Sequence, residues 1–126
     1  MPWNVKLHIE FGLLETVYSG FLTDDDIKTS SIKLLSAAKG SGAFRFLSDL
    51  RDVTDIKVSD LTLYEQPEQW QGFRMKGKNK LAQVVPNLVK IMEAASFYET
   101  VCRNRGWNVQ TFSQHKEAMS WLLTPY

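Results

Sequence analysis

Three charged residues in the middle of the chain have the types and spacing that polar chemistry requires. Asp49, Arg51 and Asp52 follow an apolar run that predicts a strand, and Ser59 begins a predicted helix soon afterwards. In open α/β sheets, ligands bind beyond the carboxyl ends of parallel strands, and these charges are expected at such an end. We consider two interpretations: a local ion pair with turn capping, or a polar rim that binds a partner or a ligand.

An enzyme based on these carboxylates is a third interpretation, and the sequence gives it little support. Asp49 and Asp52 could act as acid and base, but no nucleophile stands near them in the sequence. His8 occupies a polar position of the first strand and His115 the first turn of the last helix, which predicts surface or structural roles.

The single cysteine, Cys102, lies at helical spacing from Tyr98, which predicts a small core residue. The alternative is a thiol activated by neighbouring arginines, which requires an exposed sulfur. One cysteine excludes an intramolecular disulfide and favours a reducing compartment.

The sequence contains no motif for a metal, a nucleotide phosphate or another cofactor. It has no Cys-x-x-Cys, no pair of histidines four residues apart and no Gly-x-Gly-x-x-Gly. The consecutive Asp24, Asp25 and Asp26 are expected to fan around a helix start, where they favour the helix dipole. We therefore expect neither a metal nor a cofactor.

The segment from 65 to 80 has little regular pattern and combines basic residues with Trp70, Phe73 and Met75. Long loops in compact domains are often functional. The interpretations are a solvated loop, a patch for an anionic partner, or an apolar lid over a cleft. Self-association through this loop is a further option, because these three side chains together exceed what a monomer usually exposes.

Length and composition describe an ordinary globular chain. It has 126 residues, of which 44% are hydrophobic and 23% charged, and a formal net charge of +1. We expect a single domain over 1–126 with its own core. The near-neutral charge argues against a dedicated nucleic-acid binder, which needs a basic surface to capture phosphates.

No targeting or membrane-spanning segment is recognisable. The first residues lack a basic segment followed by an apolar run, and no stretch reaches the roughly 18–20 apolar residues of a membrane span. We expect a cytoplasmic protein.

The first two predicted strands form a hairpin. Apolar and polar residues alternate over 3–11, Gly12 breaks the pattern, and a second apolar segment follows from Leu13 to about Phe21. The alternating apolar set is Trp3, Val5, Leu7, Ile9 and Phe11.

Helices and strands then alternate to the end of the chain. Thr23 and Asp26 predict a capping box, and Gly40 and Gly42 are expected to end that helix. The further predicted elements are a strand at 43–50 with a turn at 49–52, a short helix capped by Ser59 and ended or bent by Pro67, a strand at 81–85, a helix at 88–105, a strand at 107–112 and a helix capped by Ser113. The order β-β-α-β-α-β-α-β-α predicts an α/β fold with a mixed, mostly parallel sheet and an N-terminal antiparallel hairpin.

This order and the segment 49–61 resemble the STAS domain in its SpoIIAA-like form, the fold of anti-sigma-factor antagonists. Those proteins commonly read Asp-Leu-Ser-x-Val-x-x-Ile-Asp-Ser-Ser-Gly-Leu at this place. The closing part of the chain is similar to uncharacterised bacterial STAS/SEC14-type proteins, through 97–109 and an Ala-x-x-Trp-Leu helix at 118–122. The matching positions of the first motif are Asp49, Leu50, Val53, Ile56, Ser59 and Leu61.

The departures from the motif fall on the residues that the family uses for its phosphorylation switch. The family's phosphorylated serine falls on Val58, its preceding aspartate on Lys57 and its glycine on Asp60. The resemblance therefore implies the fold and a binding role, and a kinase-controlled switch is expected to be absent.

Two functional hypotheses follow. The first is a non-enzymatic regulatory or interaction module that binds a protein partner or itself. The alternative is a carrier or sensor of a small apolar or lipid-like ligand, which the SEC14 resemblance and the aromatic residues favour, and which calls for a pocket of roughly 300–1,000 Å³. The candidate binding residues are Asp49, Arg51, Asp52, Ser59, Trp70, Phe73 and Met75.

Overall fold

A computed structural model of the chain describes residues 2–70, 73 and 79–125. These residues form one five-stranded sheet and four α-helices, which confirms the predicted α/β fold. The elements are β1 (Trp3–His8), β2 (Leu13–Thr23), α1 (Asp24–Ser41), β3 (Arg45–Lys57), α2 (Asp60–Glu65), β4 (Lys80–Val84), α3 (Val89–Asn104), β5 (Val109–Phe112) and α4 (His115–Leu123), with short 3₁₀ helices at Ile9–Phe11 and Gln66–Trp70.

The strands lie in the sheet in the order in which they occur in the chain. β1 pairs antiparallel with β2, and β2, β3, β4 and β5 pair in parallel. Successive crossovers of one hand that move one strand in the same direction place their helices on one face of the sheet. Accordingly α1, α2 and α3 share a face, and α4, which follows the last strand, packs on the opposite face.

Both faces of the central strands are buried, so neighbouring residues serve two different cores. Phe46 packs on the face of α1 and α3, and Leu47 packs against α4. Leu13 and Leu14 divide between the two faces in the same way. A strand covered on both faces reads as a continuous apolar run, which is why the β2 pattern alternates poorly.

The first strand is shorter than predicted. β1 ends at His8, and Ile9–Phe11 forms a 3₁₀ helix closed by Gly12, whose N–H donates to the Ile9 carbonyl at 3.2 Å. Gly12 has φ +61°, and a Cβ there would lie 2.5 Å from the Phe44 ring. The alternation ran on through Ile9, which is 80% exposed, but the chain must turn there because Leu13 pairs with His8.

The third strand is longer than predicted, and the expected turn at 49–52 is wrong. β3 continues to Lys57 beside β2, with register shifts between Val17 and Ser19 and between Gly20 and Phe21. Beyond the first shift its buried residues, Val53 and Ile56, are three positions apart instead of two. Bulges of this kind break the alternation, so the polar residues between resemble a turn.

The helix ends follow local rules with one exception. Thr23 and Asp26 form the predicted capping box, and Ser59 caps α2 through its hydroxyl, which accepts the Thr62 N–H at 3.2 Å. The N-cap of α4 is Gln114 rather than Ser113, and no side chain caps it. In the described part of the chain, no helix combines the length and apolar character needed to cross a bilayer.

Gly20 of β2, which lies opposite the second bulge of β3, gives a prediction with a matched control. Gly20 has φ +72° with open space around its Cα, so Gly20→Ala introduces backbone strain without a clash. We expect a loss of about 1 kcal/mol in the free energy of unfolding. Gly40→Ala, in α1 with equally open surroundings, is expected to stabilise the protein by about 0.5 kcal/mol. Urea denaturation measures both changes, and equal effects would contradict the bulge geometry.

Candidate functional site

The junction between β3 and α2 ties two helix starts together. Ser59 donates its backbone N–H to Asp24 Oδ1 at 2.8 Å, so the first turn of α1 holds the N-cap of α2. This bond is the main reason that the pKa of Asp24 lies below its ordinary value. The Ser59 hydroxyl is also engaged, since it donates to Thr62 Oγ1 at 3.0 Å. Val58 lies at this strand-to-helix junction, as the resemblance implies.

An open groove of about 600 Å³ lies at this junction, between the end of β3, the start of α2 and one side of α3. We call it the junction groove. Its charges have both signs and its floor is apolar, a combination typical of protein-binding surfaces. Its lining residues are Asp24, Ile56, Lys57, Val58, Ser59, Asp60, Lys90, Glu93, Ala94 and Phe97.

An apolar cavity lies between the sheet and the helices α1, α2 and α3. We call it the sheet cavity; its volume is about 110 Å³. Leu22, Leu50 and Leu63 contribute to its walls, and Trp70 and Tyr98 close it. The volume is smaller than the roughly 300–1,000 Å³ expected for a site that binds a drug-sized molecule.

One polar group of the sheet cavity has no partner. Gln66 is 2% exposed, and its Nε2 donates to the Thr62 carbonyl at 2.7 Å. Its Oε1 is buried and accepts no hydrogen bond from the residues that the structure describes. Buried acceptors are nearly always satisfied, and an unsatisfied one costs about 1–3 kcal/mol. Gln66 Oε1 is therefore a buried acceptor on one of the residues that line the cavity.

The aromatic residues of the predicted loop site at 66–80 are more buried than expected. Trp70 is 4% exposed and belongs to the core, where its ring lies 6.0 Å from Trp107 and its Nε1 donates to Ser31 Oγ at 3.2 Å. Phe73 is half-buried and packs edge-on against Trp70 at 5.4 Å. The prediction that Trp70 belongs to an exposed apolar surface with Phe73 and Met75 is therefore wrong. Met75 lies outside the described residues.

The predicted charge set lies within β3 rather than between a strand and a helix. Asp49 is the last residue of β3 that pairs with β4, and Arg51 and Asp52 continue along β2. Asp49 and Arg51 form a two-pronged ion pair, with Nε to Oδ1 at 2.9 Å and Nη2 to Oδ2 at 2.8 Å. Asp52 is exposed. Ser59, the N-cap of α2, follows Asp52 by seven residues, a distance of roughly 23 Å at about 3.3 Å per residue of extended chain.

Burial argues against the alternative in which Cys102 is an activated thiol. Burial raises the pKa of the Cys102 thiol to about 12, and the hydrogen bond from Tyr98 and the charge of Arg105 only partly oppose this. Cys102 is fully buried, as the core interpretation predicts. Burial likewise raises the pKa of Tyr98 well above its ordinary value. Both groups stay protonated at neutral pH.

Sequence reasoning missed Gln66 and the α3 side of the junction groove. Gln66 is one of several glutamines in a segment without pattern, and nothing local indicates that its amide is buried. Lys90 and Phe97 reach the groove only because α3 packs beside α2. The helical period of α3 indicated which of its faces is buried. It did not indicate which element lies beside its other face.

Comparisons with known proteins add the fold. No protein-family model matches the chain, and no curated protein matches it. Among solved structures, an uncharacterised DUF3478 protein with a SpoIIAA-like fold from Shewanella loihica is similar at 17% identity and a TM-score of 0.54, over 95% of this chain and 91% of that one. The unphosphorylated anti-sigma factor antagonist SpoIIAA is similar at 8% identity and a TM-score of 0.58, over 95% and 96%. The chain therefore has a SpoIIAA-like fold.

The Asp49–Arg51 pair gives a pH-dependent prediction. Burial acts to raise the pKa of Asp49, but hydrogen bonds and charge from Arg51 outweigh it, and the pKa lies below its ordinary value. A lowered carboxyl pKa stabilises the fold above the ordinary range near 4, and this stability is lost as pH falls through the folded-state pKa.

We expect Asp49→Asn to cost about 1–2 kcal/mol at neutral pH, a figure reduced because Arg51 is half-exposed. The difference from wild type should shrink as pH falls below about 4 and through the lowered pKa of Asp49. Asp52→Asn, in the same strand and exposed, should change stability by less than about 0.5 kcal/mol. Urea denaturation at several pH values tests this, and a difference that does not vary with pH would contradict it.

Proposed function

We propose that this chain is a non-enzymatic regulatory module of one domain that binds a protein partner, or a second copy of itself, through the junction groove. The observation that carries the proposal is the SpoIIAA-like fold with an open groove at its β3–α2 junction. One of the two similar structures is that of an anti-sigma factor antagonist. We place the module in the cytoplasm, which the lone reduced cysteine supports.

The chemistry of the groove supports a protein rather than a small ion as its occupant. Lys57, Lys90 and Glu93 set alternating charges around the apolar Val58 and Phe97. Leu61, the second residue of α2, follows the groove residue Asp60 and is 65% exposed. Interfaces typically combine such an apolar centre with a polar rim.

The groove does not need a phosphorylated residue to select its partner. Val58 has no hydroxyl, and the hydroxyl of Ser59 is held between two groups of Thr62 while its N–H is held by Asp24. Phosphorylation of Ser59 would remove the hydroxyl hydrogen that donates to Thr62 Oγ1. We therefore propose binding that is governed by the partner's concentration.

Site-specific photo-crosslinking tests this proposal. A benzoylphenylalanine at Leu61 should crosslink to one discrete protein in extracts of the native host, or to a second copy of the chain in purified samples. The same group at Lys116, exposed on α4 on the opposite face, is the control and should give no such band. Charge reversal by Lys57→Glu should weaken the crosslink from position 61. Equal crosslinking from both positions, or none from either, would count against the proposal.

A second candidate function rests on the sheet cavity. Its apolar walls and the unpartnered Gln66 Oε1 favour a small apolar molecule that carries one hydrogen-bond donor. At about 110 Å³ the cavity suits a molecule near the size of a single aromatic ring, and a lipid chain would require it to open. We propose ligand sensing of this kind as the alternative function.

Two probe molecules of similar size test separately whether the cavity binds an apolar ring and whether it prefers a ring with a hydrogen-bond donor. Phenol should bind roughly fivefold more tightly than toluene, because its hydroxyl can donate to Gln66 Oε1 for about 1 kcal/mol. In Gln66→Met, binding of the two probes should become equal. Quenching of Trp70 and Trp107 fluorescence reports occupancy, and the midpoint of thermal unfolding checks that the variant is folded. If neither probe binds, the ligand function is excluded.

A further inference from the structure

Both histidines of the chain meet at one carboxylate. His8 Nε2 lies 3.0 Å from Glu15 Oε1, and His115 Nε2 lies 3.6 Å from Glu15 Oε2. The chain has two histidines in all, and they come from β1 and α4, elements at opposite ends of the sequence. Their convergence on one side chain makes Glu15 the centre of a cluster with metal-ligand chemistry.

A second carboxylate lies in the same cluster. One ligand atom each from Glu15, Asp49 and His115 can be chosen so that all three lie within 4.8 Å of one another. Tetrahedral zinc ligands with bonds of about 2.0–2.1 Å are about 3.3 Å apart. The 3.6 Å between His115 Nε2 and Glu15 Oε2 is close to that value, and the set as a whole lies within 4.8 Å, so side-chain movements would have to draw the three ligand atoms together around an ion.

Asp49 keeps one free acceptor position despite its ion pair. Its Oδ1 accepts both the backbone N–H of Arg51 at 3.1 Å and Nε–H at 2.9 Å, and its Oδ2 accepts Nη2–H at 2.8 Å. A carboxylate has about four acceptor positions, so one remains on Oδ2. Arg51 then acts as the kind of second-shell partner that orients a ligating carboxylate.

The exposure of the four side chains suits an ion that enters from solvent. The side chains of Glu15 and Asp49 are 15% and 8% exposed and form a buried base. The imidazoles of His8 and His115 are each about one-third exposed and stand at the rim. α4 covers β3 to β5 on this face, and the polar residues of β1 and β2 are left beside its first turn.

The electrostatics of Glu15 also favour a cation. Among ion pairs within 4.0 Å in the described part of the chain, Glu15 is joined to these two imidazoles and not to its cross-strand neighbour Lys6. An imidazole is a cation only when protonated, and it offers a lone pair to a metal only when neutral. A bound divalent ion would supply the missing charge while both rings stay neutral.

We propose that Glu15, Asp49 and His115 bind one Zn²⁺ or a similar transition-metal ion. The second imidazole, that of His8, lies next to Glu15. The mixed nitrogen and oxygen donors fit zinc and cobalt, and they argue against magnesium and calcium, which prefer oxygen alone. This site lies on the α4 face of the sheet. The proposal for the junction groove does not depend on whether the site binds a metal ion.

Tag-free protein titrated with ZnCl₂ and CoCl₂ tests the site. Long-range ¹H–¹⁵N spectra resolve two imidazoles, and Zn²⁺ should move His115 Nε2 to a metal-bound position at one equivalent. Co²⁺ should give a visible absorption band of the same stoichiometry. His115→Ala and Glu15→Gln should each weaken binding by at least about tenfold in calorimetry.

Glu117→Gln is the matched control, because it removes an exposed carboxylate from the same first turn of α4 and leaves the donors intact. It should bind Zn²⁺ like the wild type. Thermal unfolding without metal confirms that each variant is folded. Unchanged imidazole resonances in excess Zn²⁺, or affinity that survives Glu15→Gln in the folded protein, would overturn the proposal.

Discussion

The structure depends on the difference in length between β3 and its neighbour β4. β3 has 13 residues and β4 has five, and their pairing ends at Asp49 and Val84. Beyond that point β3 is supported on one side only, by β2. The extension carries the start of α2 to the start of α1, where Ser59 and Asp24 form their hydrogen bond. Without it, neither the junction groove nor the sheet cavity would have its present walls.

The two faces of the sheet have different chemical characters. On one face, three helices bury an aromatic cluster in which Trp70 contacts Phe46, Phe73 and Trp107, with ring centroids between 5.4 and 6.0 Å apart. On the other face one helix covers β3, β4 and β5 and leaves charged and polar side chains of β1 and β2 beside it. The cavity that we propose for an apolar ligand and the cluster that we propose for a metal ion therefore lie on opposite faces of the sheet.

The features that the sequence predicted well are those decided by neighbours along the chain. The Thr23–Asp26 capping box and the Ser59 N-cap each involve residues three positions apart, and both are present. The hairpin and the alternation of helices and strands also depend on local patterns.

The features that the sequence did not reveal depend on partners distant in the chain. The bulges of β3 are set by its register with β2, so Asp49 and Arg51 resembled a turn although they lie within a strand. The burial of Trp70 depends on Phe46 and Trp107, and the meeting of His115 with Glu15 depends on how α4 crosses the sheet. No spacing rule along the sequence contains this information.

The position at which the resemblance expects a phosphorylated serine has a different physical role here. Val58, with Ile56 and Ala94, lines both the sheet cavity and the junction groove, so these three side chains form the wall between them. A serine at position 58 would place a polar group in that wall, whereas valine seals it. A molecule that displaced this wall would also reshape the groove. The two candidate functions are therefore physically linked: occupancy inside the sheet layer and binding at the groove share the same three side chains.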